Sequence, residues 1–193
     1  MGGQLWWMWV FSTAQVTVYA IEPGRGLEQA ARVLGADFAG FLVRDGWAVY
    51  RRFLYAMHQS CLAHLLRRCR ERMRVGGKRL EARLDQSLQR CDRSSQNRRL
   101  ANHLLRERDA LFAFLNCPGL EATNWRAEQA IRPMVVARKV WGGNRTARGA
   151  QIQSILVSFL QTCRQQLRPA SSLLQSLLCS SQPKIMDLAA PTR

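Results

Sequence analysis

Carboxylates are the scarce residues in this chain. Thirteen Asp and Glu stand against 29 Lys and Arg in 193 residues, a formal net charge of +16. A compact domain tolerates that self-repulsion most readily beside a polyanion, of which nucleic acid is the usual one. Most of the cations are arginine, whose fork matches phosphate oxygens. No apolar run approaches the roughly 18 residues of a membrane span, so no membrane partner is expected. The apolar N-terminal stretch has no basic flank and alternates with polar residues, which argues against a signal peptide. Six cysteines are scattered without a disulfide framework, pointing to reduced thiols in a cytoplasm. With 47 % hydrophobic residues, wholesale disorder is excluded.

The chain places strands first and helices after. Leu5 to Phe11 and Val16 to Ile21 are aromatic and β-branched runs around Ser12-Thr13-Ala14-Gln15, a β-hairpin pattern. Pro23-Gly24 breaks it, and Gly26 to Leu34 carries a helical apolar face. Phe38 to Val43 reads as a buried strand ending at Arg44-Asp45-Gly46, Trp47 to Tyr55 as helical, and Ala56 to Ser60 as a further short strand. From Cys61 the pattern becomes helical: Leu62 to Met73, the charged stretch Arg79 to Leu115, then Thr123 to Ile131. Thr123 is expected as N-cap and Pro133 to kink or end that helix. Trp141-Gly142-Gly143-Asn144 reads as a loop before amphipathic helices at Gly149 to Cys163 and Ala170 to Leu178. The tail 180–193, with two prolines, is expected to be disordered. The corresponding division is a partial sheet over 1–60, a basic helical insertion over 61–119, C-terminal helices over 120–179, and the tail.

Two carboxylates stand out by position. Asp45 follows a buried strand, where open α/β sheets present functional groups, although an Asp before Gly is by pattern first a turn residue. Glu128 lies in the first turn of a helix, with Arg132 four residues on as an ordinary intrahelical partner. Carboxylates from separate elements in a cationic fold suit divalent-metal phosphodiester chemistry: hard Mg²⁺ prefers oxygen ligands, and arginines hold the backbone. Such a site normally has three carboxylates, and two can be placed.

Several blocks carry a family resemblance. They are Gln4-Leu5-Trp6-Trp7-Met8-Trp9-Val10; Arg44-Asp45-Gly46-Trp47 with Tyr50; Cys61-Leu62-Ala63-His64 with Arg67-Arg68; and Thr123-Asn124-Trp125-Arg126-Ala127-Glu128-Gln129-Ala130-Ile131-Arg132-Pro133, continuing to Arg138-Lys139, Gly143-Asn144-Arg145-Thr146 and Gly149-Ala150. In order and spacing the chain resembles the catalytic half of bacterial insertion sequence 66 family transposases, DDE-type enzymes, most weakly between Met73 and Arg99. The resemblance implies a ribonuclease H-like α/β fold with a helical insertion and C-terminal helices. It implies Asp45 as the second Asp of the triad, bridging two Mg²⁺ or Mn²⁺ ions, and Glu128 as the Glu that ligates one. The family's partners are transposon ends and target DNA, and strand transfer in homo-oligomers is the analogous assembly.

The departures are specific. The family's first catalytic Asp sits in an Asp-Glu-Thr block shortly before the Trp-rich strand, and the 193 residues do not contain it. Trp125 and Gln129 stand where many relatives have Asn and Arg, and the interval from Asp45 to Glu128 is short. In a ribonuclease H-like sheet the missing first strand is central, so its absence would leave two exposed edges. The expectation is a transposase fragment, N-terminally truncated and inactive alone; the alternative is a non-catalytic DNA-binding relic.

The remaining candidates concern binding. Arg67 and Arg68 begin a basic run that serves DNA or is a solvated helix face. Arg138, Lys139, Arg145 and Thr146 flank a glycine loop suited to backbone phosphate. Cys61-x-x-His64 has metal-ligand spacing but no second pair, leaving His64 as a residue of the catalytic pocket or a plain helix-start histidine. Trp6, Trp7 and Trp9 read as a half-buried sheet face before a base-stacking platform. Ile152, Leu156, Phe159 and Leu160, with Leu173, Leu174, Leu177 and Leu178, are expected in the core.

Overall fold

A computed structural model describes residues 5–70 and 95–182, with side chains over 5–68 and 98–182. It is a mixed α/β chain that divides into two compact units. One combines 1–36 with 125–193, and the other is 37–124.

The first unit is built on the expected hairpin. Strands β1 (Trp7–Ser12) and β2 (Thr17–Glu22) pair antiparallel, from Trp7 opposite Glu22 to Ser12 opposite Thr17. Thr13 closes the turn, its Oγ1 accepting from the Gln15 and Val16 amides. Helix α1 (Leu27–Leu34) follows. Trp9 is buried, and its indole N–H donates to the Gly24 carbonyl at 3.1 Å.

Helix α5 (Trp125–Trp141) continues past Pro133, so of the two expected outcomes, a kink or an end, the proline does not end it. Pro133 cannot donate the helical backbone bond, while residues three before it and one after it are buried. Ala130 and Met134 form a buried cluster with Tyr19, and the Tyr19 hydroxyl donates to the Ala130 carbonyl at 2.7 Å. The helix begins at Trp125, so Asn124 rather than Thr123 precedes its first turn. It ends at Gly142 and Gly143, both at positive φ, where side chains would be strained.

Helix α6 (Ala147–Gln165) attaches to the hairpin through hydroxyls rather than leucines. The free edge of β2 exposes the amides of Thr17, Tyr19 and Ile21. Thr162 Oγ1 accepts from Thr17 N at 3.2 Å, Ser158 Oγ from Tyr19 N at 2.8 Å, and Ser154 Oγ from Ile21 N at 3.0 Å. Two strand residues advance about 6.8 Å and four helical residues about 6.0 Å, so the two repeats stay in step over three rungs. The Thr17 hydroxyl adds a bond to Gln165 Oε1 at 2.9 Å. A strand edge is thereby closed without another strand. The expected leucine core is corrected accordingly. Phe159 is buried, whereas Ile152, Leu156 and Leu160 are exposed, and no residue of α7 (Ala170–Leu178) is fully buried.

The second unit holds β3 (Phe41–Arg44) and β4 (Met57–Ser60), which pair parallel with Arg44 opposite Ser60. Residues 45–56 make the crossover, with a 3₁₀ turn at Ala48–Arg52 where a longer helix was expected. Helices α2 (Leu62–Arg70), α3 (Ser95–Leu111) and α4 (Ala113–Asn116) complete it. Gln59, fully buried, staples the α3–α4 junction. Its Nε2 donates to the Leu111 carbonyl at 3.1 Å and its Oε1 accepts from Phe114 N at 2.9 Å. The two sheets are separate and two-stranded. Arg72 and Arg74 of the basic run, most of the charged stretch from Arg79, and tail residues 183–193 lie outside the described residues.

Candidate functional site

Asp45 stands at the C-terminal end of β3, as expected. Its Oδ1 accepts from Trp47 N at 2.9 Å, an Asx turn, and Gly46 takes φ +88° to complete it. The turn reading of this residue is what the geometry shows: one oxygen makes the turn, and the other accepts no hydrogen bond among the described residues. Tyr50 packs nearby, and burial, with the Asp45 charge acting in the same direction, pushes its hydroxyl pKa up.

A cleft beside Asp45 is lined by Gly46, Ser60, Cys61, Arg68, His103 and Glu107. Arg68 reaches over Gly46, where a Cβ would lie 3.5 Å from its Nη1, and that nitrogen donates to His103 Nε2 at 3.1 Å. His103 thus accepts on Nε2. Burial, with the Arg68 charge acting in the same direction, lowers its pKa. Arg67 is exposed on the same helix. His64 Nδ1 lies 3.3 Å from Cys61 Sγ, which also accepts from Asn124 N, so this histidine is engaged with the buried thiol.

Glu107, on α3, is the residue that sequence reasoning missed. It is 1 % exposed and accepts from Arg44 Nη2 at 2.6 Å, Ser60 Oγ at 2.7 Å and Arg51 Nη1 at 2.8 Å. Burial alone would raise its pKa, but the bonds from Arg44, Ser60 and Arg51 outweigh that and hold it down at about 2. Arg44 is buried too, with Nε donating to His58 Nδ1 at 3.2 Å and Nη1 without a hydrogen-bond partner among the described residues. His58 Nε2 in turn donates to the Phe53 carbonyl at 3.0 Å. The last residues of β3 and β4, those next to Asp45, are therefore clamped to one helical carboxylate. The signal available in the sequence was Arg44 itself, an arginine ending a buried strand and so in need of an anion.

In the other unit Glu128 is exposed in the first turn of α5, where a carboxylate also suits the helix dipole. Arg138 and Lys139 are exposed near the end of α5, and Arg145 is exposed in the loop beyond it. Thr146 N-caps α6, its Oγ1 accepting from Gly149 N at 3.0 Å. The structure thus gathers Asp45 with Arg68 in one unit, and Arg138, Lys139, Arg145 and Thr146 along one helix–loop–helix segment of the other. Among the described residues, no three His, Cys, Asp or Glu side chains converge in a group that could hold a metal ion. No described helix is long and apolar enough to cross a membrane.

Residues 2–82 and 69–152 match the Transposase IS66 family. The chain belongs to that family. Asp45 lies in the first matched stretch and Glu128 in the second, and the two stretches meet where the resemblance is weakest. No curated protein and no solved structure matches the chain.

Proposed function

We propose that this IS66-family chain forms a DNA-engaging part of a transposase catalytic domain, with Asp45 and Glu128 as two carboxylates of a DDE triad. The observation that carries the reading is the family match spanning both residues, with Asp45 at a strand end and one of its oxygens outside the Asx turn. A hairpin, a helix and then a parallel strand pair is the element order expected of a ribonuclease H-like core. The assignment of 1–60 to partial sheet, 61–119 to basic insertion and 120–179 to C-terminal helices belongs to this same proposal.

The donor chemistry suits Mg²⁺ or Mn²⁺ at Asp45, an oxygen ligand for a hard cation. When bound, such ions polarise the phosphodiester and activate water. The described residues supply single ligands rather than a complete cage, so no cleavage step is drawn through them. Glu107 is excluded as a ligand because both its oxygens are held by arginines. Arg67, Arg68, Arg138, Lys139, Arg145 and Thr146 serve the DNA backbone, His64 borders the pocket through Cys61, and the setting is the cytoplasm.

The 193 residues carry two of the three expected carboxylates, and on their own they bind duplex DNA without cutting it. Incubation of an element-end duplex with Mg²⁺ or Mn²⁺ tests this. No nicking is expected; metal-dependent nicking that disappears in Asp45→Ala would show a working site instead.

A further inference from the structure

The cleft beside Asp45 holds a guanidinium whose charge is not neutralised. Arg68, on α2, lies against Gly46, with Nη1, Nη2 and Cζ at 3.5, 3.7 and 3.8 Å from where a Cβ would sit. Two carboxylates, Asp45 and Glu107, line the same cleft. Among the described residues Arg68 forms an ion pair with neither, and Glu107 is committed to Arg44 and Arg51. What holds Arg68 is His103 on α3, whose Nε2 accepts from Nη1 at 3.1 Å. An arginine only donates, so this imidazole is neutral, with its proton on Nδ1. Arg68 is exposed, and its other N–H groups make no hydrogen bond among the described residues.

We propose that His103 is a positioning residue: it pins Arg68 beside Asp45 through a neutral acceptor, so that the whole guanidinium charge is kept for a phosphate of bound DNA. The proposal rests on the DNA-binding reading above. A carboxylate in the place of His103 would fix the arginine equally well but would cancel its charge and compete with the phosphate. An arginine held by nothing would have to be ordered at the moment of binding, at a cost in side-chain entropy. A neutral imidazole avoids both. The N–H groups left over belong to a planar fork that matches two phosphate oxygens, and a chain of net charge +16 draws a polyanion to it.

The test pairs nitrogen NMR of the histidine rings with affinity for a blunt duplex at low salt, both on the full chain. At neutral pH His103 should carry its proton on Nδ1, and Arg68→Ala, at an exposed side chain, should free Nε2 to take the proton for part of the time. Arg68→Ala should weaken duplex binding about three- to fivefold and lower the salt slope by about one. His103→Ala should weaken binding by no more than that, and should have no further effect once Arg68 is alanine. His103→Gln, whose Oε1 can accept in place of Nε2, should restore most of the loss. An Nε2–H ring in the unsubstituted chain, an Arg68→Ala variant that binds as before, or losses from the two alanine substitutions that simply multiply would each overturn this inference and leave the DNA-binding reading standing. Failure of the unsubstituted chain to bind the duplex overturns both. The NMR arm needs no histidine variant, so it decides the matter even if His103→Ala unfolds unit 37–124.

Discussion

The two units answer the same problem, a polar group that must be buried, in opposite ways. Unit 37–124 buries charge: Arg44 and Glu107 lie inside it, tied to Arg51, Ser60 and His58. The unit formed by 1–36 and 125–193 buries backbone amides under neutral hydroxyls, and its cations at Arg138, Lys139 and Arg145 stay exposed. A buried ion network is expensive to break and fixes geometry, which suits the strand end carrying Asp45. A hydroxyl ladder closes an edge cheaply and keeps positive charge at the surface, available to a polyanion.

The contrast breaks most severely at Glu107. Glu107→Ala leaves a buried guanidinium unpaired and should cost about 3–5 kcal/mol, read as lost hydrogen-exchange protection within 37–124 while the hairpin unit keeps its own. Acid reaches the same network without mutation. Glu107 has a folded pKa of about 2 against an ordinary value of 4.5, so its contribution is complete above pH 4.5 and is lost as pH falls towards 2. Protonation of His58 acts in the same direction, beginning as pH falls through 6.5, because burial lowers its folded pKa. A pH series of urea midpoints should show 37–124 failing first in acid.

The ladder should break more gently. Thr162→Val keeps the shape but removes the partner of the buried Thr17 amide, at about 1–3 kcal/mol. Ser154→Ala, on a partly buried rung, should cost about 1 kcal/mol. Equal and large losses at both sites would mean that the ladder, rather than the Tyr19 cluster, holds α6 in place. The smallest effect is expected at Lys139. Lys139→Ala should leave stability unchanged and reduce the salt dependence of DNA binding by about one unit of slope.

Legibility in the sequence followed the same division. The hairpin, α1, β3 and β4 were readable because alternation, β-branching and Gly or Pro punctuation are local signals, and Asp45 at a strand end came with them. The extent of α5 was not readable, since Ala130 and Met134, on either side of Pro133 in the sequence, pack with Tyr19, more than a hundred residues away. Ser154, Ser158 and Thr162 recur every fourth residue but look like a solvated helix face until β2 lies opposite them. Glu107 was hidden among the charges of a helical stretch whose exposed residues resemble it. What made it different was its distant partner Arg44. Expecting leucines inside α6 failed for the same reason, because a helix facing strand amides buries hydroxyls.

The most direct test of the DNA-engaging role is the affinity of the intact chain for a duplex measured across salt concentration. Five exposed cations, Arg67, Arg68, Arg138, Lys139 and Arg145, acting on phosphates predict a fall of log K with log salt at a slope of about −4 to −5. A flat dependence, or preference for folded RNA over the duplex in competition, would contradict the account.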